Sequence, residues 1–438
     1  MSAERYVVIG LGHVRSDWFT EVARWSTSGS IPVEFVKCVS VEELRARVGG
    51  GRRFSAALLD GRLPAVDRDL LATLADAAIP SIVAESVGTG PDWSSLGAAS
   101  TLAHGFDRAA LLDALVTHCQ MVGMADEEVT APGAVATASA AWQGRLVAVT
   151  GRSGSGTSTV AAALAQGLAH DARYAGDVVL ADFAHHAHQA LLHDAQDVVP
   201  GLQELVEAHR SGRPTIEQLR CLTFDVPHRG YRLLLGLRRS RDWVTIRSRA
   251  FDAALDGLRR SARIVVADTD ADVEGEVETG SFDLEDRNLL ARSTLGQADL
   301  AVVVATPSIS GIHGLVAQLE DLRGHGVGDG RILVVVNRAP RQSRARAELT
   351  RAIAVLTGAA DRSDPHLGPV YVSERRNVDH LHRDLSRFPG AMVAPTADAV
   401  RAVLDRLPAR DLAAKPVEPV TVVPGSLGHW GDDEEASS

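Results

Sequence analysis

Short apolar runs alternate with amphipathic stretches along the first part of the chain. Five runs have the length and the apolar character of buried strands, at residues 6–9, 33–36, 56–60, 81–84 and 101–103. The stretches between them place apolar residues at helical spacing, as in VEELRARV and AALLDALVTHCQMV. Strands that alternate with helices predict a parallel sheet covered by helices. We therefore predict a flavodoxin-like α/β domain over residues 1–122.

The same alternation returns in the second part of the chain after an interruption. Residues 123–143 collect Ala, Thr, Ser, Pro and acidic residues, a composition that predicts a flexible linker. Strands are then predicted at residues 146–150, 178–182, 264–268, 300–305 and 332–337 of an α/β domain over residues 144–407. Residues 408–438 are Pro-rich and then acidic, which predicts a disordered tail.

Composition and charge narrow the class of protein. Apolar residues make up 45% of the chain and charged residues 23%, which is typical of a soluble globular protein. A net charge of −11 disfavours a protein whose main role is to coat nucleic acid. The three cysteines have no paired spacing that would suggest zinc or a disulfide framework. Without a signal-peptide pattern or an apolar run long enough to span a bilayer, we expect a cytoplasmic protein with no transmembrane segment.

A glycine-rich stretch, GRSGSGTST, follows the predicted strand at residues 146–150 and leads into a long Ala/Leu helix. The backbone N–H groups of such a turn, together with the N-terminus of the helix, can bind phosphates. In the P-loop pattern G-x-x-x-x-G-K-[ST], Gly151 and Gly156 occupy the glycine positions and Ser158 the Mg²⁺-binding hydroxyl position. The stretch predicts phosphate binding, and a glycine turn that binds nothing is the alternative.

Thr157 stands where the P-loop pattern has lysine. The chain has only two lysines, Lys37 and Lys415, but a general replacement of lysine by arginine would have put arginine at position 157. A threonine cannot reach the β- and γ-phosphates, so both nucleotide affinity and the stabilisation of phosphoryl transfer should fall. We predict weak or absent ATP turnover.

The loop resembles that of the MinD/ParA group of P-loop ATPases, whose variant motif KGGxGK[ST] carries an additional early lysine. Arg152 matches that early lysine, and Ser158 and Thr159 match the residues at the end of the motif. The motif order over residues 144–407 follows the same group, with an Asn-Arg pair where the group contacts adenine. The nucleotide-binding residues that the resemblance implies are Gly151, Arg152, Ser153, Gly154, Ser155, Gly156, Thr157, Ser158, Thr159, Asn337 and Arg338.

Two further segments carry this resemblance. VVLADFAHH is similar to the second strand and switch I of the group, with Asp182 at the first aspartate position and Ala184 replacing the second. RIVVADTDAD is similar to the Walker B strand, with Asp268 at the Mg²⁺-linked position. The resemblance implies ATP and Mg²⁺ as weakened cofactors, Ser158 and Asp268 as Mg²⁺ ligands, and Asp182 and Asp268 as the catalytic candidates.

A P-loop that lacks its lysine in this way resembles the loops of the TadZ/CpaE-like subgroup. This subgroup includes actinobacterial proteins described as septum site-determining. This implies a homodimer in which Arg152 reaches the phosphates bound by the partner subunit. It also implies a regulatory or localisation role in the placement of a pilus or secretion machine, or in septum-site control during cell division. Recruitment to the pole, the septum or the inner membrane face would then depend on protein partners.

The first domain resembles a response-regulator receiver, which TadZ/CpaE-like proteins often carry before their ATPase-like domain. Asp60 lies at the phospho-acceptor position and Pro64 at the usual proline. The acidic pair that would hold Mg²⁺ is replaced by GLGH at residues 10–13, and His104 stands where lysine is expected. An aspartate without its metal site should not be phosphorylated efficiently, so we predict a pseudo-receiver in which Asp60 is structural.

The sequence is also compatible with two other functions. The chain could be an active ATPase in which Arg152 supplies the missing charge and Asp270 or Asp272 orients water. It could also be a nonspecific DNA-binding partitioning protein that uses the arginines of residues 238–251 and 337–351, although the negative net charge disfavours this.

Four histidines cluster in the stretch AHHAHQALLHD. His185 and His188, or His186 and His193, would share a helix face and could bind a metal. No carboxylate or cysteine is spaced to complete such a site, so we predict a solvated helix face instead.

Overall fold

The computed structural model describes residues 5–13, 15–85, 91–122, 142–359, 362 and 365–408, which form two α/β units. Most of the predicted linker (123–143) and all but the first residue of the predicted acidic tail (408–438) lie outside these residues. Within the described part of the chain, none of the helices has the length and apolar character needed to cross a bilayer.

The first unit is a five-stranded parallel sheet in the order β2-β1-β3-β4-β5, which is the flavodoxin-like order. Its strands are β1 (Tyr6–Leu11), β2 (Val33–Cys38), β3 (Ala56–Asp60), β4 (Ser81–Glu85) and β5 (Ser100–Ala103). Its helices are α1 (Asp17–Thr27), α2 (Val41–Gly49), α3 (Arg68–Asp76), α4 (Trp93–Leu96) and α5 (Arg108–His118). The predicted fold class of this part of the chain is confirmed.

Two apolar cores lie on opposite faces of this sheet. Helices α1 and α5 pack on one face, and α2, α3 and α4 pack on the other. Every residue of β1 and β3 is buried, because these two strands are central and are covered on both sides. A single antiparallel bridge between Arg5 and Val122 joins the beginning and the end of the unit.

The second unit is an eight-stranded sheet in the order β13-β12-β11-β6-β10-β7-β9-β8, parallel except for β8. Its strands are β6 (Arg145–Thr150), β7 (Val178–Asp182), β8 (Phe224–Val226), β9 (Tyr231–Leu234), β10 (Ile264–Asp268), β11 (Leu300–Ala305), β12 (Ile332–Ala339) and β13 (Leu367–Ser373). Its helices are α6 (Thr157–Ala169), α7 (Gln189–Leu192), α8 (Leu202–Ser211), α9 (Ile216–Cys221), α10 (Ser248–Ser261), α11 (Glu276–Thr279), α12 (Phe282–Arg287), α13 (Leu289–Gln297), α14 (Ile309–Gly324), α15 (Ser343–Leu356), α16 (Val378–Arg383) and α17 (Gly390–Leu404).

The five strands predicted for this unit are present, and three others were not predicted. Strands β8 and β9 have only three and four residues, too few for a periodic signal. Strand β13 contains a Gly-Pro pair and is mostly half-exposed, because it lies at the edge of the sheet. These short or edge strands are defined by their neighbours rather than by their own apolar pattern.

Strand β6 occupies the centre of the larger sheet, between β10 and β11. The connection that follows β6 leads towards β7 on one side, and β11 later continues the sheet on the other side. In open parallel sheets, ligands bind at the carboxyl ends of the strands where the strand order reverses in this way. The loop after β6 therefore lies at the position where this fold forms a binding crevice.

The two units contact each other through α3, which packs against α8 and α10. Arg68 of α3 donates hydrogen bonds to the carbonyl oxygens of His209 and Gly212. The carboxylate of Asp69 accepts hydrogen bonds from the backbone N–H groups of Arg249 and Ala250, at 3.0 and 3.3 Å. Helix α10 has no side-chain cap of its own, so Asp69 caps it from the other unit.

Candidate functional site

The glycine-rich loop joins the end of β6 to the beginning of α6. Gly154 and Gly156 have φ angles of +83° and +84°, the left-handed region that favours glycine. A Cβ atom at position 156 would also lie 2.4 Å from Nδ2 of Asn337. Gly156 is the N-cap of α6 and offers no side-chain cap, so the N–H groups of the first turn remain available to an anion.

A cavity of about 710 Å³ opens beside this loop, between the carboxyl ends of the strands and the beginning of α14. This volume is in the range of pockets that hold small ligands and cofactors. Its charged groups are the two arginines and the one glutamate in its wall. The cavity is lined by Arg152, Ser153, Gly154, Ser155, Val304, Ala305, Thr306, Pro307, Ser308, Ser310, Gly311, Gly314, Leu315, Gln318, Arg338 and Glu374.

Asn337 and Arg338 meet the loop from the end of β12. Nδ2 of Asn337 donates to the carbonyl oxygen of Ser155 at 2.8 Å, so this side chain braces the loop. Its Oδ1 accepts from the backbone N–H of Arg338 at 2.9 Å, and Arg338 has a positive φ of +53°. The local geometry turns the chain so that Arg338 lines the cavity while Asn337 supports the loop.

The side chain of Thr157 folds back onto the loop. Its Oγ1 lies 2.7 Å from Oγ of Ser155, and both hydroxyls lie close to Gly151, where a Cβ would be 2.6 and 2.7 Å from them. Thr159, at the end of the motif, points away and contacts Nε2 of His382 at 3.2 Å. Thus Thr157 supplies no positive charge where a P-loop lysine would extend.

Arg152 lies along α14 in this structure. Its Nε donates to the carbonyl oxygen of Gly314 at 3.3 Å, and its Nη2 lies 3.7 Å from a carboxylate oxygen of Asp321. The side chain is 55% exposed. Within one chain, the guanidinium therefore contacts α14 instead of replacing the missing lysine over the loop.

Two aspartates end neighbouring strands beside the loop. Asp182 of β7 and Asp268 of β10 are paired in the register of the sheet, and both are buried. Burial, and then the charge of Asp268, raises the pKa of Asp182 well above its ordinary value. Burial raises the pKa of Asp268 to about 6, although hydrogen bonds from Gln189 and Ser158 oppose the rise. Adjacent carboxylates with little access to water need a cation or strong donors to stay ionised.

The donors come from Gln189, at the beginning of α7. Its side-chain Nε2 donates to Oδ2 of Asp268 at 2.8 Å and to the carbonyl oxygen of Ser158 at 3.0 Å. Its backbone N–H donates to Oδ2 of Asp182 at 2.8 Å. No sequence motif pointed to this residue; its role becomes visible only when β6, β7 and β10 are brought together.

The residues present fit Mg²⁺ in their chemistry. The hydroxyl of Ser158 and the carboxylate of Asp268 are oxygen ligands of the kind that Mg²⁺ takes, and Ser158 is near enough to Asp268 to lower its pKa. In the part of the chain that the structure describes, no group of three or more His, Cys, Asp and Glu side chains is placed to hold a metal. A Mg²⁺ ion here would therefore depend on phosphate oxygens for its other ligands.

The segment after Asp182 carries Ala184 and the histidine cluster. Ala184 is buried and offers only its backbone N–H, which donates to Asp182 at 3.3 Å. The expectation that the histidines share a solvated helix face is wrong, because α7 has only four residues. His185 precedes this helix, and His193 is buried with its ring nitrogens near the carbonyl oxygen of Gln189 and the hydroxyl of Tyr231.

In the first unit, Asp60 is buried at the end of β3 and is enclosed by donors. It accepts hydrogen bonds from the hydroxyl of Ser16 at 2.7 Å and from Nε, Nη2 and the backbone N–H of Arg62 at 3.0–3.1 Å. His104 Nε2 lies 3.5 Å away. Burial alone would raise the pKa of Asp60, but the hydrogen bonds from Arg62 and Ser16 outweigh it and lower the pKa to about 2.

No protein-family model and no curated protein sequence matches the chain. Solved structures are similar to part of the chain. A ParA family ATPase from Chlorobium tepidum is 15% identical with a TM-score of 0.45, covering 60% of this chain and 97% of its own. The cell division ATPase MinD from Pyrococcus furiosus is 17% identical with a TM-score of 0.43, covering 59% of this chain and 99% of its own.

A third similar structure is the septum site-determining protein MinD from Pyrococcus horikoshii in complex with Mg-ADP. It is 17% identical with a TM-score of 0.41, covering 59% of this chain and 93% of its own. Identities and TM-scores this low carry no activity over to this chain.

Proposed function

We propose that this chain is a MinD/ParA-like, TadZ/CpaE-like localisation or regulatory protein that binds a nucleotide and hydrolyses it weakly or not at all. One observation carries the proposal: a glycine loop with two left-handed glycines leads into an uncapped helix at the centre of a parallel sheet. This arrangement supplies N–H groups for phosphates, and a cavity large enough for a nucleotide lies against it.

The roles of the residues follow from where they lie. The N–H groups of residues 151–159 would hold the phosphates, with Ser158 and Asp268 as ligands of a Mg²⁺ ion. Mg²⁺ would neutralise part of the phosphate charge when it is bound. Arg338 lines the cavity and is placed to contact the remainder of the nucleotide, while Asn337 keeps the loop in its bent conformation.

Weak turnover is supported by the two positions that lack functional side chains. Thr157 is hydrogen-bonded within the loop and brings no charge to the γ-phosphate. Ala184 has only a methyl group where a water-orienting carboxylate would be needed. Phosphoryl transfer depends mainly on positioning and on charge stabilisation, so losing both should reduce the rate strongly.

The alternative of an active ATPase requires Arg152 to replace the lysine of its own chain, but its contacts are with α14. A role across a homodimer remains part of the proposal, since the side chain is half exposed. The alternative of DNA binding needs free arginines, yet several in the two clusters are paired: Arg238 with Glu204, Arg249 with Asp76 and Arg344 with Glu348. We propose protein partners from a pilus, secretion or division machine and a cytoplasmic location.

Titration calorimetry with ATP and with ADP, each with and without Mg²⁺, tests the proposal. We expect the wild type to bind nucleotide and Ser158→Ala to bind it at least tenfold more weakly. The substitution removes the hydroxyl that the first turn of α6 offers at the proposed phosphate site. Ser211→Ala is a matched control, since its hydroxyl donates to Glu207 within α8, away from the loop. No binding of either nucleotide at millimolar concentration would refute the nucleotide-binding role.

A phosphate-release assay on the same proteins separates the proposal from the active-ATPase alternative. We expect release close to the uncatalysed background in the wild type. Turnover of about 1 per second that disappears in both Ser158→Ala and Asp268→Ala would establish an enzyme instead. A salt-dependent gel shift on nonspecific duplex DNA would support the DNA-binding alternative.

A further inference from the structure

We propose that Gln189 competes with Mg²⁺ for Asp268 and keeps the site closed to a metal–nucleotide complex until the segment of residues 183–193 moves. The inference rests on the proposed nucleotide-binding function and adds a residue that determines which form of the ligand the site accepts. Neither the P-loop motif nor the switch motifs include this position.

The first support is the place that the amide occupies. Gln189 has no solvent exposure, and its Nε2 bridges Oδ2 of Asp268 and the carbonyl oxygen of Ser158. Ser158 and Asp268 are the two protein ligands that a Mg²⁺ ion would use. The amide nitrogen thus occupies one of the two carboxylate oxygens of Asp268, Oδ2, and ties it to the backbone of Ser158.

The second support is electrostatic. An amide N–H donor carries a partial positive charge, and it hydrogen-bonds to Asp268 as a neutral substitute for a cation. Mg²⁺ binds oxygen at about 2.0–2.1 Å and does not accept a hydrogen-bond donor as a ligand. Because the amide occupies Oδ2 of Asp268, a metal ion can bind this oxygen only after the amide has moved.

The third support is that the closed arrangement leaves polar atoms without partners. Oε1 of Gln189 is buried and accepts no hydrogen bond, and both ring nitrogens of the neighbouring His185 are buried without partners. A buried polar atom without a partner costs on the order of 1–3 kcal/mol. These costs bring the closed state nearer in free energy to an open one.

The fourth support is the short structure that carries Gln189. Helix α7 has four residues, and the exposed fraction of the Leu191 side chain is 77%. Such segments open locally at low free energy compared with the core of the sheet. Moving α7 outward would remove the amide from Asp268 and leave β7 and β10 in place.

Two consequences distinguish this arrangement from an ordinary P-loop site. The wild-type chain should bind ATP without metal about as well as it binds Mg²⁺–ATP, because the amide already compensates Asp268. Replacing Gln189 by alanine should expose the carboxylate and create a strong preference for the metal complex.

The experiment compares the full-length wild type with Gln189→Ala, and with Gln297→Ala as a matched control. Gln297 donates to Asp252 and Ser293 and is remote from the loop. Calorimetry measures ATP affinity in EDTA and in millimolar Mg²⁺. We expect Gln189→Ala to bind Mg²⁺–ATP at least tenfold more tightly than the wild type, with metal-free affinities within threefold of each other. Gln297→Ala should behave as the wild type.

Hydrogen exchange without any ligand gives an independent reading. The backbone N–H groups of Ala184, His185 and Gln189 donate to carboxylates in the closed arrangement, so peptides from residues 183–193 should exchange at least tenfold faster in Gln189→Ala. Peptides from α6 and β10 should exchange at the same rate in both proteins, which shows that the variant is folded.

The outcomes separate the two proposals. Equal Mg²⁺–ATP affinities of two proteins that both bind ATP would overturn the competition between Gln189 and the metal. If neither protein binds ATP, the proposed function fails, and hydrogen exchange then decides on Gln189 alone. If residues 183–193 exchange at the same rate in Gln189→Ala and in the wild type, the hydrogen bond between Gln189 and Asp268 does not hold this segment closed. Faster exchange in Gln189→Ala would support that role.

Discussion

Each unit ends one of its central strands with a buried aspartate, yet the surroundings affect the two carboxylates in opposite ways. Asp60 ends β3 and Asp268 ends β10, and each is 1% exposed. The guanidinium of Arg62 and the hydroxyl of Ser16 hold the pKa of Asp60 at about 2. Burial raises the pKa of Asp268 to about 6, and its side-chain donors are an amide and a hydroxyl, which are neutral.

The difference shows that the donors around a buried aspartate at a strand end decide its chemistry. A carboxylate with a paired arginine is satisfied and stays ionised at any physiological pH, so it serves structure. A carboxylate with neutral donors and other acids nearby retains its demand for a cation. Asp60 is therefore suited to holding its loop together, and Asp268 to receiving a metal ion once Gln189 has moved.

The largest effect is expected from Asp268→Asn in metal-free buffer. The wild-type folded state binds more protons than the unfolded chain between pH 3.8 and about 6, so its stability falls as the pH rises through that window. Above about pH 6, the free energy of unfolding of the variant should exceed that of the wild type by up to about 3 kcal/mol. This difference in stability should disappear below pH 4. Urea unfolding in EDTA from pH 4 to 8 measures this. A variant less stable than the wild type at pH 8 would mean that Gln189 and Ser158 fully satisfy the charge.

A smaller effect of opposite sign is expected from Asp60→Asn. The pKa of Asp60 is lower in the folded state than in the unfolded chain. Its carboxylate therefore stabilises the fold above pH 3.8, and this stabilisation is lost as the pH falls through about 2. At neutral pH the variant should lose about 1–2 kcal/mol, discounted because the Arg62 side chain is 56% exposed. The same unfolding series measures it, with the exposed Asp113→Asn as the control. If the stabilities of the Asp60 and Asp268 variants changed with pH in the same way, the surroundings of the two carboxylates would not have opposite effects.

The smallest effect is expected at the contact between the units. Asp69→Ala removes the cap of α10 and should cost about 1 kcal/mol, the usual value for a lost N-cap. Asp76→Ala on the same helix is the matched control, because its pair with Arg249 is exposed on both sides and should contribute less than about 0.5 kcal/mol. Equal stabilities of the two variants would show that Asp69 does not stabilise α10.

Much of the fold could be predicted from the chain alone. The long buried strands have continuous apolar runs because they are covered on both faces, and their alternation with helices predicts parallel sheets. The edge strand β13 and the short β8 and β9 escaped prediction. Their backbone groups are paired by neighbouring strands, and a local apolar pattern carries no information about such pairing.

Some residues of the candidate site could likewise be predicted from the sequence, and others could not. Gly154, Gly156 and Ser158 could be recognised because a phosphate loop is built from consecutive residues, and local backbone geometry demands glycine there. The sequence also determined what is missing, the charge at Thr157 and the carboxylate at Ala184. Only the tertiary structure placed Arg152 on α14 and Gln189 on Asp268. Such contacts join residues far apart in the chain, and their partners depend on which strands become neighbours in the folded sheet.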